Sequence, residues 1–265
     1  MNKIKIHCYW GLDFDLFHEK QIELYVDQIP TDVVPKNTVR FIFLLEVIDW
    51  LNLNAQAIDG YNKGYYNFIF THNETLLSEI ADAHLFEFGT SWIKDYDFPK
   101  KEFAVSALVG GKNITASHQL RQKLWFKQNN IDGVKKNFFI SGNLGGIENF
   151  NNSPVLGEKK NPLFDSQFHI CIEQGKRNNY FSEKLIDCLI TKTVPIYWGA
   201  PNIGNWFDTR GFIIVDNLND IIKTCNSLTP EIYQNMLPYI EENFEKSKKY
   251  ATIADRLEDK IKELI

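Results

Sequence analysis

The feature that most constrains this chain is a series of short apolar runs, four to seven residues long, separated by polar and amphipathic stretches. Runs at Ile4 to Cys8, Val39 to Leu45, Tyr66 to Thr71, Ala83 to Phe88, Phe103 to Val109, Phe138 to Ser141, Phe168 to Ile172, Val194 to Trp198 and Phe212 to Val215 read as strands. Several are apolar at nearly every position rather than at alternate ones. A strand pays that pattern only when both of its faces are covered, which is the situation of a parallel sheet between helices. Helices are predicted after Asn73, from Ser117 to Asn129, from Phe181 to Ile190 and from Leu218 to Asn226, and a long charged amphipathic segment runs from Pro230 to Ile265. The alternation predicts an α/β protein.

At 265 residues the chain has room for one large α/β domain or two smaller ones. Charge separates it into parts. Residues 1–99 carry 7 Lys and Arg against 15 Asp and Glu, residues 100–192 carry 14 against 8, and the remainder 8 against 11. A locally basic middle within an acidic protein suits a small anionic ligand. A duplex track needs a broad basic face, so nucleic acid is not the expected partner. The sign change coincides with Lys94-Asp-Tyr-Asp-Phe-Pro-Lys-Lys101, where a domain boundary is expected. Residues 142–162, rich in Asn, Gly and Ser, read as a loop. No apolar run is long enough to span a membrane, and the alternating start lacks the apolar core of a signal peptide. Four dispersed cysteines without zinc-ligand spacing predict free thiols. Together these features predict a cytoplasmic protein.

The densest chemistry lies in Phe168-His-Ile-Cys-Ile-Glu-Gln-Gly-Lys-Arg-Asn-Asn-Tyr-Phe-Ser-Glu-Lys184. An apolar strand ends in a carboxylate, a polar loop carries two cations, and Ser182-Glu183-Lys184 opens a helix. Backbone N–H groups at such a helix start, with Lys184 beside them, suit a phosphate. The plain alternative is a surface loop in which Ser182 merely caps a helix. Asp13/Asp15 and Asp95/Asp97 match the Asp-x-Asp pattern that can hold a nucleotide-bound cation, a triplet common by chance. Gly142-Asn-Leu-Gly-Gly146 lacks dinucleotide-fingerprint spacing, and no phosphate-binding Gly-Lys-Ser/Thr loop occurs. Trp92, Trp125, Trp198 and Trp206 read as core residues, with Trp198 also close enough to the motif to face a sugar.

The segment resembles glycosyltransferase family 10, the α1,3-fucosyltransferases, and its short bacterial or viral type. Ile172-Glu173-Gln174-Gly175, Tyr180-Phe-Ser-Glu-Lys184 and Val194-Pro-Ile-Tyr-Trp-Gly199 fall in the family's order and spacing, with Gln174 and Gly175 where the family has Asn-Ser. Ala116-Ser-His-Gln-Leu-Arg121 resembles the segment whose arginine reaches the donor diphosphate. Tyr9-Trp-Gly11 resembles the turn after the first strand, and Arg40-Phe-Ile-Phe-Leu-Leu-Glu46 the strand that ends in the catalytic glutamate.

The resemblance implies two Rossmann-like domains facing one another across a cleft, the GT-B arrangement. Residues 1–98, joined by a returning helix at 241–265, would form the acceptor side, and residues 99–240 the donor domain. It also implies an inverting, metal-independent glycosyltransferase that moves a sugar from a nucleotide sugar, GDP-fucose first, to a glycan hydroxyl, with no cofactor besides that co-substrate. Glu46 would be the catalytic base and Glu173 would steady the sugar. Arg121 and Lys184 would hold the diphosphate, Glu183 the ribose, and Gln174, Tyr180 and Ser182 would complete the donor site. Two other functions stay open on the residues alone: a glycosyltransferase acting on a modified DNA base, and a nucleotide-sugar-binding module without turnover.

Overall fold

The computed structural model describes residues 1–8, 15–45, 52–142, 146–149 and 151–265. Tyr9-Trp10-Gly11, Asp13 and Glu46 lie outside the described residues. Two compact units emerge, one formed by residues 1–88 with 252–265 and the other by residues 89–251.

The first unit begins with β1 (Asn2–Lys3), β2 (Lys5–Cys8) and β3 (Phe17–His18), of which β1 and β3 pair as a short antiparallel ribbon. Then follow β4 (Gln21–Val26), β5 (Thr38–Leu44), α1 (Leu53–Asn62), β6 (Phe68–Thr71), α2 (Glu74–Glu79) and β7 (Ala83–Leu85). The main sheet runs β2-β4-β5-β6-β7, parallel throughout. Central β5 is buried on both faces, with Phe41, Ile42 and Phe43 fully covered, as its continuous apolar run demands.

Two elements here escape the apolar pattern. In β4, Gln21-Ile-Glu-Leu-Tyr-Val26 alternates, and Glu23 interrupts the apolar run. The neighbouring strand supplies the compensation: Arg40, opposite Glu23 in register, pairs with it at 2.7 Å and with Asp32 at 3.3 Å. Helix α1 contains Asn54, Asn62 and Gly60, all poor formers of isolated helix. Gly60 packs closely, since a β-carbon there would stand 2.9 Å from Ile29 Cγ2 and push that side chain aside.

The second unit contains β8 (Glu102–Val109), α3 (Ala116–Lys127), β9 (Lys135–Ile140), β10 (Ser166–Ile172), α4 (Glu183–Ile190), β11 (Val194–Trp198), β12 (Ile213–Ile214), α5 (Leu218–Ser227) and α6 (Pro230–Ser247). Its sheet, also all parallel, is ordered β12-β11-β10-β8-β9. Numbered from its own first strand this is the 2-1-3-4-5 doubly wound order. The direction of winding reverses between β8 and β10, and open α/β sheets bind ligands at the carboxyl ends of strands flanking that point. Among the described residues, the first unit's main-sheet strands run in sequential order, without such a reversal.

The unit boundary falls at residues 88–89, ahead of the change in charge. Gly89 already lies under Phe181, where a β-carbon would meet Cε2 at 2.5 Å, and Ile93 is buried in the second unit's core with Phe181 and Leu185. Charge marks solvent exposure, whereas the boundary follows the apolar contacts. The terminal amphipathic segment is likewise two helices. α6 packs in the second unit, and α7 (Ile253–Leu264) returns to the first, burying Leu257 and Ile261 against its sheet. Among the described residues no helix is long and apolar enough to cross a membrane.

Candidate functional site

A cavity of about 600 Å³ opens at the switch point, walled by the ends of β8 and β10, the start of α3, the start of α4 and the segment before β10. Arg121, Glu183 and Lys184 all line it.

Helix α4 starts there because its cap is built from two directions. Ser182 accepts from the Lys184 backbone N–H at 3.3 Å. It also donates its own N–H and hydroxyl to Glu173, the residue that follows β10, at 2.9 and 2.5 Å. Glu173 is fully buried, with its carboxylate turned to Ser182 rather than into the cavity. Burial raises its pKa against the pull of Lys184 and Ser182. Tyr180 and Ser182 are buried behind the wall, and the carbonyl of half-buried Gln174 accepts from the Ser117 hydroxyl at 2.9 Å.

Lys184 Nζ lies 3.0 Å from Glu183 Oε1. Burial would lower the lysine pKa, but Glu183 and Glu173 reverse the shift and raise it. Burial would raise Glu183, yet Lys184 and Lys160 hold it down at about 2. Both groups are therefore charged at neutral pH. Arg121 projects from α3 onto the end of β10, donating to the carbonyls of Ile172 and, at 3.3 Å, Glu173. A guanidinium has five N–H groups, so donors remain for an anion in the cavity.

His118, in the first turn of α3, accepts the Thr115 backbone N–H at Nδ1 (3.2 Å). Burial and the nearby Arg121 lower its pKa to about 4. The neutral ring therefore carries its proton on Nε2, making that nitrogen a donor.

Beyond Arg121, Glu183 and Lys184, the cavity wall includes Trp92, Lys160, His169 and Asp187, which the sequence does not mark as site residues. They lie on four different segments, and their neighbours in the chain carry no shared pattern. Trp92, expected in the core, is 60% exposed, and the Lys160 amine sits 3.6 Å from its ring centroid. Trp125 is fully buried as expected, and Trp198 is half-buried with its indole N–H on the Asp216 carbonyl. Of the Asp-x-Asp candidates, Asp15 pairs with Lys3 on the surface. Among the described residues there is no group of three His, Cys, Asp or Glu side chains able to hold a metal ion.

No protein-family model matches the chain. Over 85 residues it is 32% identical to the α-(1,3)-fucosyltransferase FucT of Helicobacter pylori, a stretch that covers 28% of the chain and 18% of that relative's length. In fold it is similar to a crystal structure of an α1,3-fucosyltransferase with GDP-fucose, with a TM-score of 0.51 at 15% identity over 87% of this chain and 80% of that one. A second α1,3-fucosyltransferase crystal structure gives a TM-score of 0.52 at 15% identity, over 87% and 79% of the two chains. At such identity the structures speak for a shared fold, two parallel-sheet α/β units of the GT-B class. In one sequence segment and in the fold of most of its length, this chain is α1,3-fucosyltransferase-like.

Proposed function

We propose that the chain is a glycosyltransferase that moves fucose from GDP-fucose to a hydroxyl of a glycan acceptor, inverting the anomeric carbon and using no metal ion. The observation that carries this reading is the convergence of Arg121 and Lys184 on one cavity at the switch point, beside the start of α4. The relative and the GDP-fucose-bearing structure support the choice of donor.

Departure of the nucleoside diphosphate develops negative charge on the leaving oxygen. Arg121, Lys184 and the first N–H groups of α4 supply fixed positive charge for it. Glu183, ionised and at the cavity wall, accepts hydrogen bonds from the ribose hydroxyls. Glu173 acts as a positioning residue: through Ser182 it fixes where the helix begins and so where Lys184 stands. Tyr180 and Gln174 shape the loop that carries this junction. Glu46, in the first unit, takes the acceptor proton. That unit serves the acceptor and the second unit the donor. We place the protein in the cytoplasm, where the thiols of Cys8, Cys171, Cys188 and Cys225 persist reduced.

Incubation with GDP-fucose and a panel of oligosaccharides, with GDP release and the anomeric configuration of the product as readouts, tests the reading. Release that continues in EDTA and an inverted product are expected. Turnover that requires added Mg²⁺ or Mn²⁺, or a donor preference for UDP sugars, would overturn it.

A further inference from the structure

One turn along α4 from Glu183, the cavity wall carries a polar group that has no part in the diphosphate and ribose contacts proposed above. Asp187 is fully buried, and its two oxygens differ. Oδ1 accepts from the Ser91 hydroxyl at 2.9 Å, from Trp92 N–H at 2.8 Å and from Ile93 N–H at 3.4 Å. Oδ2 accepts no hydrogen bond from any described residue, with the Lys160 amine 3.9 Å away. A buried carboxylate oxygen without a donor is costly, and native proteins rarely leave one so. On a cavity wall, that oxygen is a place for a ligand donor.

His169, from β10, adds a second acceptor. Ser106 Oγ lies 2.5 Å from the Leu163 carbonyl and 2.8 Å from His169 Nδ1. Only the serine proton can bridge the two oxygens, so His169 must donate from Nδ1 to Ser106. Burial lowers the His169 pKa to about 3. Its Nε2 is then unprotonated and accepts. Lys160 is the donor of the group, held between Glu183 at 3.7 Å and Asp187 at 3.9 Å.

We propose that Asp187, His169 and Lys160 form the seat of the nucleobase and select guanine, an assignment that rests on the nucleotide-sugar function proposed above. The seat offers two acceptors and one donor. Guanine's pairing edge is the complement, with donors at N1 and N2 and an acceptor at O6. Adenine's edge has one of each, while cytosine and uracil present one donor and two acceptors. Among the four bases only guanine has more donors than acceptors. Apolar Leu163, Phe164 and Ile170 complete the walls on which a flat ring can rest.

Calorimetric binding of GDP, IDP, XDP, ADP and UDP to the full chain and to Asp187→Asn tests the assignment. Asparagine can keep the three hydrogen bonds at Oδ1 while turning the free oxygen into an amide donor. The wild-type chain should bind GDP most tightly, with IDP, which lacks the 2-amino group, weaker by roughly tenfold, the worth of a good hydrogen bond. Asp187→Asn should weaken GDP by about tenfold or more and leave UDP unchanged. It should strengthen XDP, whose C2 carbonyl accepts from the new amide. If that variant fails to fold, the wild-type series decides alone. Equal affinity for GDP, IDP and ADP overturns the guanine seat, and so does a folded Asp187→Asn chain with its GDP preference intact. Either result with tight GDP binding leaves the transferase function standing, whereas a wild-type chain that binds none of the five overturns both.

Discussion

The carboxylate of Glu173 receives both the backbone N–H and the hydroxyl of Ser182, at 2.9 and 2.5 Å, and so fastens the end of β10 to the start of α4. Glu173→Gln keeps one acceptor and replaces the other with a donor facing the Ser182 hydroxyl. A loss of about 1–3 kcal/mol is expected, measured by urea unfolding. Turnover and donor affinity should fall as Lys184 shifts, and they should fall at least as far in Ser182→Ala, which keeps the backbone bond but loses both the hydroxyl bond to Glu173 and the cap on the Lys184 N–H. A Glu173→Gln chain as stable as wild type would show that the junction is held some other way.

Gly199 closes the motif segment at a point where any side chain collides. A β-carbon there would lie 2.3 Å from the Tyr197 hydroxyl and 2.8 Å from Glu173 Cγ. Gly199→Ala should destabilise the chain by roughly 1–3 kcal/mol, the cost of overpacking a filled site, read as a lower melting temperature. Because the clash bears on Glu173, nucleotide affinity should drop as well.

Lys184→Ala removes a cation from the proposed diphosphate site and should weaken GDP by about 1.5–3 kcal/mol in a binding titration. Arg121→Ala should do the same and also lower stability, because it strips donors from the carbonyls of Ile172 and Glu173. Unchanged GDP affinity in both variants would remove the two cations from the site.

Glu46→Gln preserves size but cannot take up a proton, so turnover should fall roughly 100-fold or more with donor affinity nearly unchanged. Single-turnover kinetics with saturating GDP-fucose give the comparison, and wild-type rates would exclude Glu46 as the base.

Asp187 and Glu183, one turn apart, should shape stability against pH in opposite senses. Burial raises Asp187 to about 6 from an ordinary 3.8, so the folded state binds its proton more tightly than the unfolded state. Its contribution is complete below the unfolded value and is lost as pH rises through about 6. Glu183, held at about 2 by Lys184 and Lys160 against its burial, contributes above its ordinary value and loses that contribution as pH falls toward 2. Relative to wild type, Asp187→Asn should therefore gain on the order of 2–3 kcal/mol between pH 4 and pH 8. Denaturant titrations of the ligand-free proteins across that range would reveal a flat difference if the argument is wrong.

Local sequence determined most of the strands and the chemistry of one junction. Phe41 to Leu45, within the run Val39 to Leu45, and Val194 to Trp198 read as buried strands because each residue is apolar, a property legible without partners. Ser182-Glu183-Lys184 reads as a helix start because capping and the dipole act within one turn. β4 could not be read this way, since Glu23 is tolerable only beside Arg40 of the next strand. The same holds for the cavity's other polar wall. Trp92, Lys160, His169 and Asp187 come from a linking segment, a loop, a strand and a helix, and only the crossing of the chain between β8 and β10 brings them to one cavity. Periodicity records how a segment meets its own cover, whereas strand order and the pairing of distant charges depend on contacts that the intervening sequence does not encode.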